Sequence, residues 1–398
     1  MSKEGPKLTF LGWLAILVFI GACGFGAYYF LQKKPLIAGS GTNPAASSPS
    51  PDRGTGLEIG IAYGTEKRRW LEWAAEEFVK TKEGRNIRIN LIPVGSVEGA
   101  QAILAGDERI HVWNPASALY KDVFAQEWNF KHGKNPILRE EALALTPMVF
   151  VVWAERYDAF LKKYQHLDFQ TVSDALRQPG GWDGIAGKPE WGLFKFSHTH
   201  PNQSGSGLMT LVLMAYEFSK KTQGLTLKDI LNPAFQTWML GIENAVSGMS
   251  NSTGNMMREM VLRGPSTYDG LFVYENVVID YLKNAEGRWG SLRVVYPRMN
   301  MWNDNPYYVL DAPWSSQEQR KAAEVFLDFL LTEPIQREAL KHGFRPGNPA
   351  VPVKFPDSPF VALADTGLKI ELGSVCETPK AEVIVNLLEI WQRGRGMR

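Results

Sequence analysis

Leu57-Glu58-Ile59-Gly60-Ile61-Ala62-Tyr63-Gly64-Thr65 opens the folded part of the chain. The apolar run reads as a buried strand and Tyr63-Gly64 as the turn that ends it. Thr65 then caps a helix that carries Trp70, Trp73, Ala74 and Phe78 on one face. The alternation continues downstream. Ile87 to Ile92 predicts a second strand, broken by Pro93 and Gly95 before a short helix through Ala100 to Leu104. Ile110 to Trp113 predicts a third, with Asn114 as the next helix cap and Pro115 at the first helical position. Strand–helix–strand alternation of this kind predicts an α/β fold with a mostly parallel sheet and right-handed crossovers.

Further along, Leu145-Thr146-Pro147-Met148-Val149-Phe150-Val151-Val152-Trp153 reads as a buried strand that crosses between two lobes. A second α/β unit follows. It holds the loop His198 to Gly207 before a long apolar helix, the strand Leu271 to Tyr274 and a helix from about Asn276. Ser315-Ser316-Gln317-Glu318 has capping-box spacing before a helix bearing Ala322, Val325, Phe329 and Leu330, and Gly343 stops the next one. The layout expected is lobe I from 57 to 150, lobe II from 151 to 294, and a return to lobe I with C-terminal helices from 295 to 398.

The region before Leu57 reads differently. Between Lys7 and Lys33 there is no charged residue, and Leu8 to Leu31 is apolar almost throughout. At a rise of about 1.5 Å per residue that run is long enough to cross a bilayer core of about 30 Å. Trp13, Tyr28 and Tyr29 suit the two membrane interfaces. A cleaved signal peptide has a shorter apolar run. Ile20-Gly21-Ala22-Cys23 resembles a bacterial lipobox, which makes Cys23 a candidate for lipidation, although the sequence stays apolar beyond it. The expectation is a short cytoplasmic N-terminus (1–7), a single-pass anchor in the inner or cytoplasmic membrane (8–31), and a flexible Pro/Gly/Ser-rich linker (32–56) to an extracytoplasmic body.

Composition narrows the function. In 398 residues, 43 Lys and Arg balance 42 Asp and Glu, so the basic excess expected of a nucleic-acid partner is missing. Two cysteines, Cys23 and Cys376, exclude a disulfide framework and a Cys-rich zinc site. His198 and His200 have no third metal ligand beside them in sequence. Neither a nucleophile elbow nor a phosphate-binding P-loop occurs. No cofactor, resident metal or catalytic residue is expected.

What remains is a set of strand-to-helix turns rich in hydroxyl and small residues: Thr65-Glu66, Gly95-Ser96, Asn114 to Ser117, Ser204-Gly205-Ser206-Gly207 and Tyr274-Glu275-Asn276. In open α/β sheets ligands bind beyond the carboxyl ends of strands, and such turns from both halves fit a cleft between lobes.

In this order of features the body resembles a bacterial type II extracellular (periplasmic) solute-binding protein, of the broad group with molybdate- and sulfate-type binders. The resemblance runs from Leu57 onward. It rests on Tyr63-Gly64-Thr65, Thr146 to Trp153, His198 to Leu208, Tyr268 to Asn276, Ala322 to Leu331 and Gly343-Phe344-Arg345-Pro346. It implies two α/β lobes that close on a small-molecule or ion ligand and hand it to an ABC permease. It also implies that Thr65, Ser96 and Ser117 from lobe I and Ser204, Ser206 and Tyr274 from lobe II hold the ligand, an oxyanion if the family pattern is kept. Glu275 departs from that pattern, because a carboxylate in the cleft repels an anion and favours a cationic or hydroxyl-rich ligand. The competing expectation is an anchored sensor or scaffold domain that engages a protein partner.

Overall fold

The computed structural model describes residues 56–285 and 288–396. The expected anchor and Cys23 lie outside them. Among the described residues no helix is long and apolar enough to cross a membrane.

The chain starts with β1 (Leu57–Tyr63), α1 (Arg68–Phe78), β2 (Ile87–Pro93), α2 (Ser96–Leu104), β3 (Val112–Asn114) and β4 (Ile137–Ala142). It crosses on β5 (Ala144–Trp153) to β6 (Phe196–Ser197), α3 (Gly205–Ser219), α4 (Thr253–Arg263), β7 (Gly270–Tyr274), α5 (Glu275–Ala285) and β8 (Leu292–Val295). It returns through β9 (Met299–Asn300) and β10 (Trp302–Asn303) to β11 (Pro306–Leu310), α6 (Gln317–Leu330), α7 (Glu333–Lys341) and β12 (Arg345–Pro346). A short β13 (Ser374–Val375) pairs with β9, and α8 (Ala381–Gly394) ends the fold.

Lobe I is one sheet in the order β2-β1-β3-β11-β4. The β1–β2 and β1–β3 pairs are parallel, as the alternation predicts, while β11 runs antiparallel to both its neighbours because it enters from the other lobe. Its core sets Trp70 5.7 Å from Phe344 and Phe78 4.9 Å from Phe326, ring centre to ring centre. Such aromatic pairs each add about 0.5–1.5 kcal/mol beyond the area they bury. In lobe II, Phe150 of β5 packs 4.5 Å from Phe272 and 5.2 Å from Phe169.

The crossing strand explains how the two lobes are joined. The start of β5 pairs with β12 and β10, whereas Met148 to Trp153 pair with β7 and β8. Buried asparagines hold the return crossing beside it. Asn300 Nδ2 donates to Met148 O at 2.7 Å, Asn303 Nδ2 to Thr146 O at 3.0 Å, and Asn305 Nδ2 to Ala144 O at 2.9 Å.

Three local expectations are corrected. The third strand begins two residues later than predicted, at Val112. Asn114 is not a cap: its buried amide donates to Pro306 O at 2.7 Å and so joins β3 to β11. The cap falls to Ser117, whose Oγ accepts from Leu119 N at 3.2 Å. Finally, Thr65 caps no helix: it is the first residue of a 3-10 turn, Thr65–Lys67, behind Gly64, and α1 starts only at Arg68. The C-terminal helix α8 touches both lobes. It packs on α3 of lobe II and on the helix Lys121–His132 of lobe I, with Trp391 Nε1 donating to Glu243 Oε2 at 2.6 Å.

Candidate ligand-binding cleft

The turn after β1 builds the lobe I wall. Gly64 N donates to Asn114 O at 3.1 Å, and the Glu66 carboxylate folds back over Gly64 where a Cβ would collide with it. Lys67 is fully buried. Its ammonium donates to Glu66 Oε1 at 2.5 Å and to Pro115 O and Asn305 Oδ1, each at 3.1 Å. Burial pulls the Lys67 pKa down and the Glu66 charge opposes that pull. Asn305, at φ +46°, belongs to the return crossing, so the cleft carboxylate is linked through one lysine to the hinge.

The lobe II wall begins at the glycine-rich loop. Ser206 Oγ lies 2.5 Å from Thr199 Oγ1 and 3.0 Å from Ser204 Oγ. Ser96 Oγ, across the seam, accepts from Ala116 N at 3.0 Å. A Cβ on Gly205 would stand 2.8 Å from Ser96 Oγ and 2.9 Å from the Tyr274 hydroxyl, so the glycine backbone itself fills the space between them. That hydroxyl is buried and has no hydrogen-bond partner among the described residues, and burial, then the Glu66 charge, hold its pKa well above the ordinary tyrosine value. The lobes touch here: Gly95 sits against the Gln203 carbonyl so closely that no side chain fits, and Thr65 Oγ1 lies 3.0 Å from Ser252 Oγ.

Outside this seam the cleft opens to about 320 Å³, lined by Thr65, Glu66, Gly95 and Glu98 of lobe I and by Ser252 and Asn255 at the start of α4. At its edge Arg69 reaches across to Asp280, 3.9 Å away, and to the Tyr281 ring at 5.5 Å. The Asp280 carboxylate also faces His342 at 3.6 Å.

Of the residues expected from sequence, Thr65, Ser96, Ser204, Ser206 and Tyr274 are brought together along the seam. Ser117 and Glu275 are not. Ser117 lines a second opening of about 290 Å³ with Met209, Met301, Asp304 and Cys376. Glu275 is buried in a bidentate pair with Arg345, at 2.8 and 2.9 Å, and accepts a further bond from the Tyr296 hydroxyl. Burial pushes its pKa up while Arg345 and Tyr296 counteract the shift. Its carboxylate therefore fastens α5 to β12 instead of meeting a ligand. His198 bonds Glu243 at 2.8 Å, and no group of three or more His, Cys, Asp or Glu among the described residues could hold a metal ion. Sequence reading placed Glu66 in a cleft turn without giving it a role, and missed Lys67 behind it and Ser252 opposite. Only Ser252 carried a signal, as a cap before Thr253 to Arg263.

Two lobes on crossing strands, closed over a polar cleft, define a binding protein, and comparison with known proteins agrees. A family model described as "Bacterial extracellular solute-binding protein" matches residues 59–345. The chain belongs to this family, whose members bind solutes and are not enzymes. No curated protein matches it in sequence. Similar solved structures include a periplasmic thiamin-binding protein (TM-score 0.59, 10% identity, 89% of this chain and 99% of that one). A ferric-binding protein from Campylobacter jejuni aligns at TM-score 0.56 and 12% identity over 85% of this chain and all of that one. The sulfate-binding protein from Mycobacterium tuberculosis H37Rv aligns at 0.53 and 17% over 80% and 94%. At these identities the likeness is one of fold.

Proposed function

We propose that this protein captures a small solute in the cleft between Thr65, Glu66 and Glu98 of lobe I and Ser252 and Asn255 of lobe II, for delivery to an ABC-type permease. The body works on the extracytoplasmic side and is tethered by the apolar segment 8–31. The observation that carries the reading is the seam: hydroxyls of Thr65 and Ser252 meet across it at 3.0 Å, beside a cleft of about 320 Å³. Pockets of about 300–1,000 Å³ are the usual size for small ligands. Ser96, Ser204, Ser206 and Tyr274 form the floor on which the lobes close. Similar folds are named for thiamin, iron and sulfate, so the fold alone leaves the ligand class open.

The test is a thermal-shift screen of the full chain against oxyanions, sugars, amino acids and polyamines. A ligand at about 100 times its dissociation constant adds roughly 2.7 kcal/mol to stability and raises the midpoint by several degrees. Co-purification of a permease would support the transport role. A sensor or a scaffold would instead bring down a signalling or structural partner and show no solute-dependent shift.

A further inference from the structure

Resting on the reading of this cleft as the ligand site, we infer that its solute is a polar organic molecule that presents hydrogen-bond donors, ammonium or hydroxyl, to Glu66 and Glu98, and is not a bare oxyanion. Three observations converge on this. First, most of the hydroxyls that would encircle an oxyanion are engaged inside the protein: Ser206 with Thr199 and Ser204, and Ser96 with Ala116 N, while the buried Tyr274 hydroxyl has no partner among the described residues. The Gly205 backbone fills the gap between Ser96 and Tyr274. Second, the space that stays open with the lobes in contact lies outside that floor and measures about 320 Å³, far more than a tetrahedral oxyanion fills.

Third, the charges lining that space are unevenly neutralised. Arg69 is matched by Asp280 at 3.9 Å and Arg68 by Glu72 at 3.9 Å. Lys67 occupies only Oε1 of Glu66, whose side chain is 5% exposed; Oε2 has no hydrogen-bond partner among the described residues. Glu98, beside Gly95, makes no ion pair among the described residues. A ligand O–H or N–H in the cleft meets these carboxylate oxygens in charge-assisted hydrogen bonds, which are stronger than neutral ones. On the facing wall the first-turn N–H of α4 at Gly254 has no intrahelical acceptor. The solute therefore also carries an oxygen acceptor. This polarity, donors toward lobe I and an acceptor toward α4, also explains closure, because one small molecule satisfies both walls at once.

The experiment is titration calorimetry of the full chain with glucose, putrescine, alanine, sulfate and molybdate, on wild type, Glu98→Gln and Glu66→Gln. Glucose stands for hydroxyl donors, putrescine for ammonium donors alone, and alanine for ammonium with an oxygen acceptor. The inference expects binding of glucose or alanine, which carry donors and an oxygen acceptor, in preference to putrescine, weakened about tenfold or more in Glu98→Gln, and none of the two oxyanions. Glu98 is exposed, so that variant keeps the fold; Glu66→Gln, which removes the counter-charge of buried Lys67, is read only if its unfolding midpoint matches wild type. Binding of sulfate or molybdate that Glu98→Gln leaves unchanged or tightens overturns the ligand class and leaves solute capture standing. If a folded sample binds none of the five, this inference falls. If the wider screen above is also blank, the reading of the cleft as a solute site falls with it.

Discussion

Thr65 and Ser252 lie 187 positions apart in sequence, and their hydroxyls stand 3.0 Å apart where the two lobes meet. A bond of this kind exists only when the lobes are together, so it stabilises the closed form and leaves each lobe's own fold alone. A neutral hydrogen bond contributes about 1 kcal/mol net, which is about fivefold in a binding constant. Thr65→Val, nearly the same shape, should weaken solute binding about fivefold in calorimetry with little change in the unfolding midpoint. Ser252→Ala should do more, since Ser252 Oγ also caps α4 by accepting from Asn255 N at 3.3 Å. That loss adds about 1 kcal/mol of destabilisation.

The Glu275–Arg345 pair predicts the opposite pattern: a large stability effect. Both residues are buried, at 0% and 4% exposure, and Arg345 also donates to Lys369 O at 2.6 Å. Arg345→Met strands a carboxylate without its counter-charge, and breaking a buried pair from one side costs about 3–5 kcal/mol. Adding Glu275→Gln removes the stranded charge and should recover about half of that loss or more. Urea unfolding of the single and double variants measures both.

Glu217 gives the stability a pH dependence. Burial, reinforced by the nearby Asp168 carboxylate, pushes its pKa up to about 7 from 4.5. An acid whose pKa is higher in the folded than in the unfolded state favours folding while protonated, and that contribution is lost as pH rises through the folded value. Glu217→Gln keeps the acceptor that takes the Gln170 N–H at 2.9 Å but carries no charge. Melting curves should therefore show the variant equal to wild type near pH 4 and more stable at pH 8.

The parts of this molecule that depend on neighbours in sequence were legible, and those that depend on distant partners were not. Thr65, Ser96, Ser204, Ser206 and Tyr274 all follow strands or begin helices, and in an α/β fold that position alone places them at the interlobe seam. Their hydrogen bonds do not follow from position. Ser96 reaches Ala116, and Glu275 reaches an arginine 70 residues later, so the first is engaged and the second is structural. Lys67 was illegible for a sharper reason. A lysine at the start of an amphipathic helix reads as solvent-exposed, and two of the three acceptors that let it be buried, Pro115 O and Asn305 Oδ1, come from segments 48 and 238 positions away. Asn114 failed similarly: its cap-like sequence context lost to the backbone carbonyl of Pro306 on a strand 192 positions away.

The central claim is that solute is held by closure of the two lobes, and Gly95 offers the most direct test. Its φ of −63° suits any residue, so alanine there leaves lobe I unstrained. A Cβ would overlap the Gln203 carbonyl of the facing lobe, which forbids the closed seam and nothing else. Calorimetric titration of wild type and Gly95→Ala with the solute that gives the largest thermal shift decides the matter. The account predicts wild-type binding, a loss of affinity on the order of a hundredfold or more in Gly95→Ala, and the same unfolding midpoint for both proteins without solute. Equal affinity in the two proteins would contradict it.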